Sequence, residues 1–155
     1  MFSDLKELLS LEEKRILFAG IGNLLKSDDG AGVYISSRIK KSFHISSLNV
    51  EVSIENYIGK INSLNPDILV LIDCVDMNSA PGTCKLLPVR LVKDLTFTTH
   101  NISLSRLSEF FIMPVYILGI QPKKIDFGEK ISYIVKDVAD KLIQLINKQE
   151  VHYGN

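Results

Sequence analysis

A glycine-rich stretch with two adjacent aspartates constrains the fold of this chain more than any other feature. It covers residues 20–32 and contains four glycines. An apolar run at residues 16–19 precedes it and is typical of a buried strand, while apolar residues with helical spacing follow it at residues 31–43. The segment is therefore predicted to fold as a strand, a tight turn and a helix.

Asp28 and Asp29 stand where the predicted helix begins, and three interpretations compete for them. A dinucleotide-binding fingerprint is disfavoured, because Leu25 occupies its third glycine position and paired acids would repel a pyrophosphate. One aspartate is expected to serve as the N-cap, since Asp is a favoured cap that suits the positive end of the helix dipole. Capping leaves the other aspartate unexplained. The third interpretation is a carboxylate displayed at the carboxyl end of a strand, where α/β proteins place ligand sites.

Length and composition narrow the class of protein. With 155 residues the chain is long enough for one domain with a proper core and too short for two domains, so residues 1–155 are predicted to form a single domain. Formal net charge is zero, so no basic excess points to nucleic acid. The N-terminus has acids where a signal peptide needs a basic start, and no apolar run reaches the length of a membrane span. Cys74 and Cys84 do not form a C-x-x-C pair, so a cytoplasmic protein with reduced thiols is expected.

Segments with strand and helix patterns alternate along the chain. Residues 48–55 alternate apolar and polar side chains, which is typical of a strand near a sheet edge, whereas the unbroken apolar run at residues 68–72 is typical of a central parallel strand. The pattern predicts a three-layer α/β/α sandwich with a mostly parallel central sheet. The predicted strands are 15–20, 48–55, 68–72, 83–87 and 115–121, and the predicted helices are 3–10, 30–42, 58–64, 103–111 and 131–147.

The two central strands bring acidic residues toward one edge of this predicted sheet. Their carboxyl ends point the same way, which places Asp28 or Asp29 near Asp73. Two close carboxylates repel each other unless a cation lies between them. His100, in a polar segment predicted to be a loop, is the natural third member, and such a set suits nickel, zinc, manganese or iron. The alternatives are a strand-end aspartate that caps the next turn and a surface histidine.

The other candidate residues are assigned structural roles. His44 and His152 are expected to be exposed. Cys74 and Cys84 are expected to be core residues, and Asp76 is expected to belong to a turn.

Four motifs resemble, in the same order, those of the nickel–iron hydrogenase maturation endopeptidases. The glycine-rich stretch at 20–32 is the first, and Leu-Ile-Asp-Cys-Val-Asp-Met at 71–77 followed by Ala-Pro-Gly at 80–82 is the second. Thr-Thr-His-Asn at 98–101 and Leu-Gly-Ile-Gln-Pro at 118–122 are the third and fourth. The last two motifs are most similar to the branch that processes hydrogenase large subunits of the formate-hydrogenlyase type.

This resemblance implies an enzyme that removes a C-terminal extension from a hydrogenase large-subunit precursor after nickel insertion. By motif position, Asp29, Asp73 and His100 contact the metal, and the two aspartates are the catalytic candidates. The nickel is expected to arrive with the precursor, without an organic cofactor. Either an aspartate activates water, or the metal polarises the water or the carbonyl group.

Two features depart from the family pattern, and one rival function remains open. The family often has a glycine-rich segment after the alternating strand, but residues 55–59 contain only Gly59. Cys74 stands where alanine is common, which would put a soft ligand beside Asp73. The rival is a non-catalytic nickel-sensing or docking module that binds the large subunit without cutting it. A monomer is expected, because the helices offer no surplus apolar face.

Overall fold

A computed structural model describes residues 2–91 and 104–148 of the chain. Five strands form one sheet in the order β2-β1-β3-β5-β4. Neighbouring strands run parallel except for β4, which is antiparallel to β5. The strands are β1 (Ile16–Ile21), β2 (Ile45–Glu51), β3 (Ile68–Cys74), β4 (Cys84–Pro88) and β5 (Val115–Ile120).

Helices cover both faces of this sheet. The helices are α1 (Ser3–Leu9), α2 (Ala31–Ser36), α3 (Ile58–Leu64), α4 (Leu104–Leu107) and α5 (Tyr133–Asn147). Short 3₁₀ turns add Ser27–Gly30, Ile54–Tyr57, Val89–Leu91 and Ser108–Phe110.

Each face of the sheet carries its own hydrophobic core. On one face Phe18 and Ile72 pack with Leu142 of α5, and on the other Leu17 and Ile61 belong to a second core. Successive side chains of a strand point to opposite faces, which is why β1 and β3 read as unbroken apolar runs. The two cores confirm the predicted three-layer sandwich with a mostly parallel sheet.

Three predicted elements differ from those observed. The helix expected over 103–111 is divided into α4 and the 3₁₀ turn Ser108–Phe110. The helix expected over 30–42 ends at Ser36, where side chains of Ser37 and Arg38 donate to the carbonyl oxygen of Tyr34 at 3.1 and 3.0 Å. These bonds satisfy a carbonyl group at the helix end that a longer helix would have used. Strand β2 lies at the sheet edge, as predicted, but it covers Ile45–Glu51 rather than residues 48–55.

The prediction that His44 is exposed is wrong. His44 is buried, with 3% of its surface accessible, because it directly precedes β2 and its carbonyl oxygen accepts a bond from the amide of Ile16 at 2.7 Å. His100, His152 and the predicted loop at 96–101 lie outside the described residues. In the described parts of the chain no helix has the length and apolar character to cross a membrane.

Candidate active site at the carboxyl edge of the sheet

The carboxyl ends of β1 and β3 lie side by side, as the sequence predicts, since Gly20 pairs with Ile72 in the parallel ladder. Gly32, near the start of α2, packs directly against both strands. A Cβ atom on Gly32 would overlap the carbonyl oxygens of Ile21 and Ile72. This contact needs glycine, and it holds the start of α2, with the preceding 3₁₀ turn, against the edge where the strands end.

Asp29 lies in that 3₁₀ turn and is buried, with 2% of its surface accessible. Its Oδ2 accepts a hydrogen bond from the backbone amide of Asn23 at 2.9 Å. Gly22 has a φ of 135°, and a Cβ atom at this position would overlap the carbonyl oxygen of Asp29. The glycine turn therefore determines how closely Asp29 approaches the end of β1.

Asp73 lies near the end of β3 and is fully buried, and its Oδ1 accepts a bond from the amide of Cys74 at 2.8 Å. The Cys74 thiol donates to the carbonyl oxygen of Asp28 at 2.9 Å. Burial raises the pKa of this thiol well above its usual value, and three carboxylates raise it further: Asp73, Asp29 and Asp28. All three are thus close enough to act electrostatically on one thiol, which stays protonated at neutral pH.

Cys74 is fully buried, and its thiol donates to the Asp28 carbonyl oxygen. It is therefore a core residue, as the sequence predicts. Cys84 is partly buried, and burial raises its pKa to about 12.

The expectation that one of the paired aspartates caps the helix is wrong. The N-cap residues are Lys26 for the 3₁₀ turn and Gly30 for α2, and neither makes a side-chain capping bond. Instead, the fully buried carboxylate of Asp28 accepts bonds from the amides of Lys123 and Lys124 and from the amide and hydroxyl of Ser132. The two neighbouring aspartates thus have different partners: the 123–132 loop for Asp28 and the glycine turn for Asp29.

The structure brings Asp29 and Asp73 to one edge, while His100 lies outside the described residues. Within residues 2–91 and 104–148, no group of three acidic, histidine or cysteine side chains has the arrangement of a metal site. The ligand set Asp29, Asp73 and His100 therefore stays a prediction. Two close carboxylates can share a cation, or one of them can take a proton from water.

A cleft of about 530 Å³ lies beside the glycine turn, and Asp29 itself is not part of its lining. Asn23 connects the two, since it lines the cleft and its amide donates to Asp29. Glu51 lines the same cleft with a φ of 59°, and its carbonyl oxygen accepts a bond from the amide of Gly22 at 2.9 Å. The lining consists of Gly22, Asn23, Val50, Glu51, Val52, Ser53, Asn56 and Tyr57.

Sequence reasoning missed three residues at this edge. Asn23 lies inside the first family motif, so a closer reading of the motif could have singled it out. No sequence pattern pointed to Glu51. Its positive φ is uncommon for a non-glycine residue, and glutamate is not among the residue types enriched at positive φ. Ser132 bonds to Asp28 across 104 positions of sequence, and no local pattern connects the two.

The fold is a mostly parallel α/β sandwich with buried carboxylates at its carboxyl edge, beside an open cleft. These features define the class of α/β proteins whose ligand sites lie at the strand ends. Residues 33–149 match the family model HycI, described as hydrogenase maturation protease. The chain belongs to the hydrogenase maturation protease family.

Individual relatives agree with this assignment. A Methanocaldococcus jannaschii protein named for the same family is 30% identical over 86% of each chain. The crystal structure of the hydrogenase maturation protease HycI from Thermococcus kodakarensis is similar with a TM-score of 0.83 and 26% identity, over 96% of this chain and 99% of that one. The solution structure of the endopeptidase HycI from Escherichia coli is similar with a TM-score of 0.76 and 26% identity, over 87% of this chain and 91% of that one.

Proposed function

We propose that this protein is an endopeptidase that removes the C-terminal extension of a nickel–iron hydrogenase large-subunit precursor after nickel insertion. Membership of the family supports the reaction class. The structural observation that carries the proposal is the burial of both Asp29 and Asp73 at one edge of the sheet. Both carboxylates also act electrostatically on the Cys74 thiol. Buried carboxylates at the carboxyl edge of the sheet lie where α/β folds place their ligand sites.

In this proposal Asp29, Asp73 and His100 contact the nickel that the precursor carries as part of the substrate. Asp29 is held by the Asn23 amide and Asp73 by the Cys74 amide, so both carboxylates are oriented before the precursor binds. Two routes to cleavage remain: a carboxylate removes a proton from the attacking water, or the metal polarises the water or the scissile carbonyl group.

The cleft beside the glycine turn is the proposed path of the C-terminal extension. It is open to solvent along Glu51 and Asn56, which are both exposed, and it reaches the glycine turn at Gly22. An extended peptide in this cleft would pass Asn23, whose amide donates to the Asp29 carboxylate. The segment with few glycines, residues 55–59, overlaps the 3₁₀ turn Ile54–Tyr57, which supplies Asn56 and Tyr57 to the lining.

We further propose that the precursor is a large subunit of the formate-hydrogenlyase type and that the protein acts in the cytoplasm. The resemblance of the motifs at 98–101 and 118–122 to this branch supports the proposal. Both cysteines are free, in keeping with a reducing compartment.

The test is a cleavage assay on purified large-subunit precursor, loaded with nickel or free of it. The nickel-loaded precursor is expected to lose its extension, while the nickel-free precursor and casein stay intact. Binding of loaded precursor without cleavage would favour the non-catalytic docking module. Equal cleavage of both precursor forms would contradict the dependence on nickel.

A further inference from the structure

The carboxylate of Asp28 accepts four hydrogen bonds at this edge of the sheet. Its Oδ2 accepts bonds from the amides of Lys123 at 2.8 Å and Lys124 at 2.9 Å and from the hydroxyl of Ser132 at 2.8 Å. Its Oδ1 accepts a bond from the amide of Ser132 at 2.6 Å. All donors belong to the 123–132 loop, which leads from β5 to α5. One buried carboxylate thus holds both ends of that loop.

Further bonds join this loop to the turn that contains Asp28. The amide of Ser27 donates to the Gly128 carbonyl at 2.6 Å, and the hydroxyl of Ser27 donates to the Asp126 carbonyl at 2.8 Å. The amide of Gly128 donates in return to the Leu25 carbonyl at 2.9 Å. The 123–132 loop therefore holds the turn in place through hydrogen bonds. In these contacts Asp28 contributes the only carboxylate side chain.

The backbone of Asp28 is held from the opposite side by β3. The Cys74 thiol donates to the Asp28 carbonyl oxygen, and the Cys74 amide donates to Asp73. Asp28 therefore bridges the loop and the end of β3, and it directly precedes Asp29. Any displacement of Asp28 moves Asp29 relative to Asp73.

We propose that Asp28 is a positioning residue, which fixes the Asp29 carboxylate relative to Asp73 through the 123–132 loop and Cys74. Only the effect of Asp28 on cleavage rests on the proposed function. The chemistry explains why the position needs an acid: one carboxylate accepts four bonds, whereas an asparagine has one acceptor oxygen and an amide group that cannot accept. Backbone donors that lose an acceptor in a buried site are costly.

The first experiment compares Asp28→Asn with Asp126→Asn, which removes an exposed carboxylate from the same loop. Asp28→Asn is expected to lower kcat for nickel-loaded precursor about a hundredfold, since a misplaced reacting group costs about that much. The Kd for the precursor is expected to stay within about twofold, well below a tenfold step. Asp126→Asn should match the wild type in both. A wild-type kcat for a folded Asp28→Asn overturns the proposal, as does a loss of affinity that accounts for the whole loss of activity.

The second experiment needs no cleavage. Amide hydrogen exchange of Asn23 reports on its bond to Asp29, and that of Cys74 reports on its bond to Asp73. Both amides are expected to exchange faster in Asp28→Asn than in the wild type or Asp126→Asn. Unchanged exchange at both amides overturns the positioning role. If the wild type cleaves no precursor, the proposed function fails, and exchange still decides whether Asp28 positions Asp29.

A milder variant covers the case in which Asp28→Asn does not fold. Ser132→Ala removes only the hydroxyl donor and leaves the amide bond to Asp28. It is expected to raise the exchange of the Asn23 amide in the same direction by a smaller factor. Trypsin should also cut faster after Lys123 and Lys124, whose amides bond to Asp28. Wild-type exchange and wild-type trypsin resistance in Ser132→Ala would count against the proposal.

Discussion

Gly22 and Asp29 lie so close together that a single added methyl group on the glycine would overlap the aspartate's carbonyl oxygen. The φ of 135° at Gly22 is also unfavourable for any residue with a side chain. Both conditions follow from the sharp turn at the end of β1, which brings residues 27–30 back against the strand. The geometry of Asp29 therefore depends on a residue that contributes no side chain.

Gly22→Ala is accordingly expected to disturb the site as well as the fold. The strained φ and the overlap should lower the free energy of unfolding by about 2 kcal/mol, measured by urea denaturation. Cleavage of precursor should fall more than stability explains, because Asp29 must shift. Gly59→Ala is the matched control, since a Cβ atom at Gly59 meets no atom within 4 Å. Normal cleavage by Gly22→Ala would show that this turn does not shape the site.

Asp29→Asn, Asp73→Asn and His100→Ala are each expected to reduce cleavage of nickel-loaded precursor about a hundredfold or more, because each removes a predicted metal contact or proton acceptor. Asparagine preserves size, so circular dichroism and melting temperature should stay close to the wild type. Asp28→Asn is unsuitable as a neutral control, because that carboxylate accepts four bonds. Asp4→Asn, exposed on α1, serves instead. Cleavage by Asp29→Asn at the wild-type rate would remove Asp29 from the site.

Both thiols are expected to resist alkylation in the folded protein. Burial raises the pKa of Cys74 well above its usual value and that of Cys84 to about 12, and only the thiolate reacts quickly. Iodoacetamide at about pH 8 should modify neither residue in the native state and both in denaturant. Mass spectrometry counts the added groups. Rapid modification of native Cys74 would contradict its burial beside the carboxylates.

The raised pKa of Cys84 predicts a loss of stability in alkaline solution. The folded state holds the Cys84 proton more tightly than the unfolded chain, in which thiols titrate at about 8.5. The stabilisation is fully present below that pH and is lost as the pH rises toward about 12. Between about pH 7 and about pH 10.5 the wild type should therefore lose more melting temperature than Cys84→Ala. Equal losses of melting temperature in the wild type and in Cys84→Ala, measured in reducing buffer, would contradict the raised pKa of Cys84.

Local patterns were sufficient for the framework of this protein. The apolar runs predicted β1 and β3 as central parallel strands, and the helical stripe predicted α5, because the period of burial is a property of neighbouring residues. Placement of Asp29 and Asp73 at one edge followed from the parallel direction of the strands. Family motifs then selected Asp29 over Asp28.

The tertiary structure alone decided what the individual side chains do. The residue pattern left open which of Asp28 and Asp29 faces Asp73 and predicted that one of them caps the helix, yet the donors to Asp28 lie 95 to 104 residues away in sequence. His44 was expected to be exposed and is buried, because its backbone extends the pairing of β1 and β2. Hydrophobic periodicity records which face of an element is buried, whereas a buried polar group is stable only beside donors that the folded chain brings to it. For Asp28 those donors come from a distant segment, so only the fold identifies them.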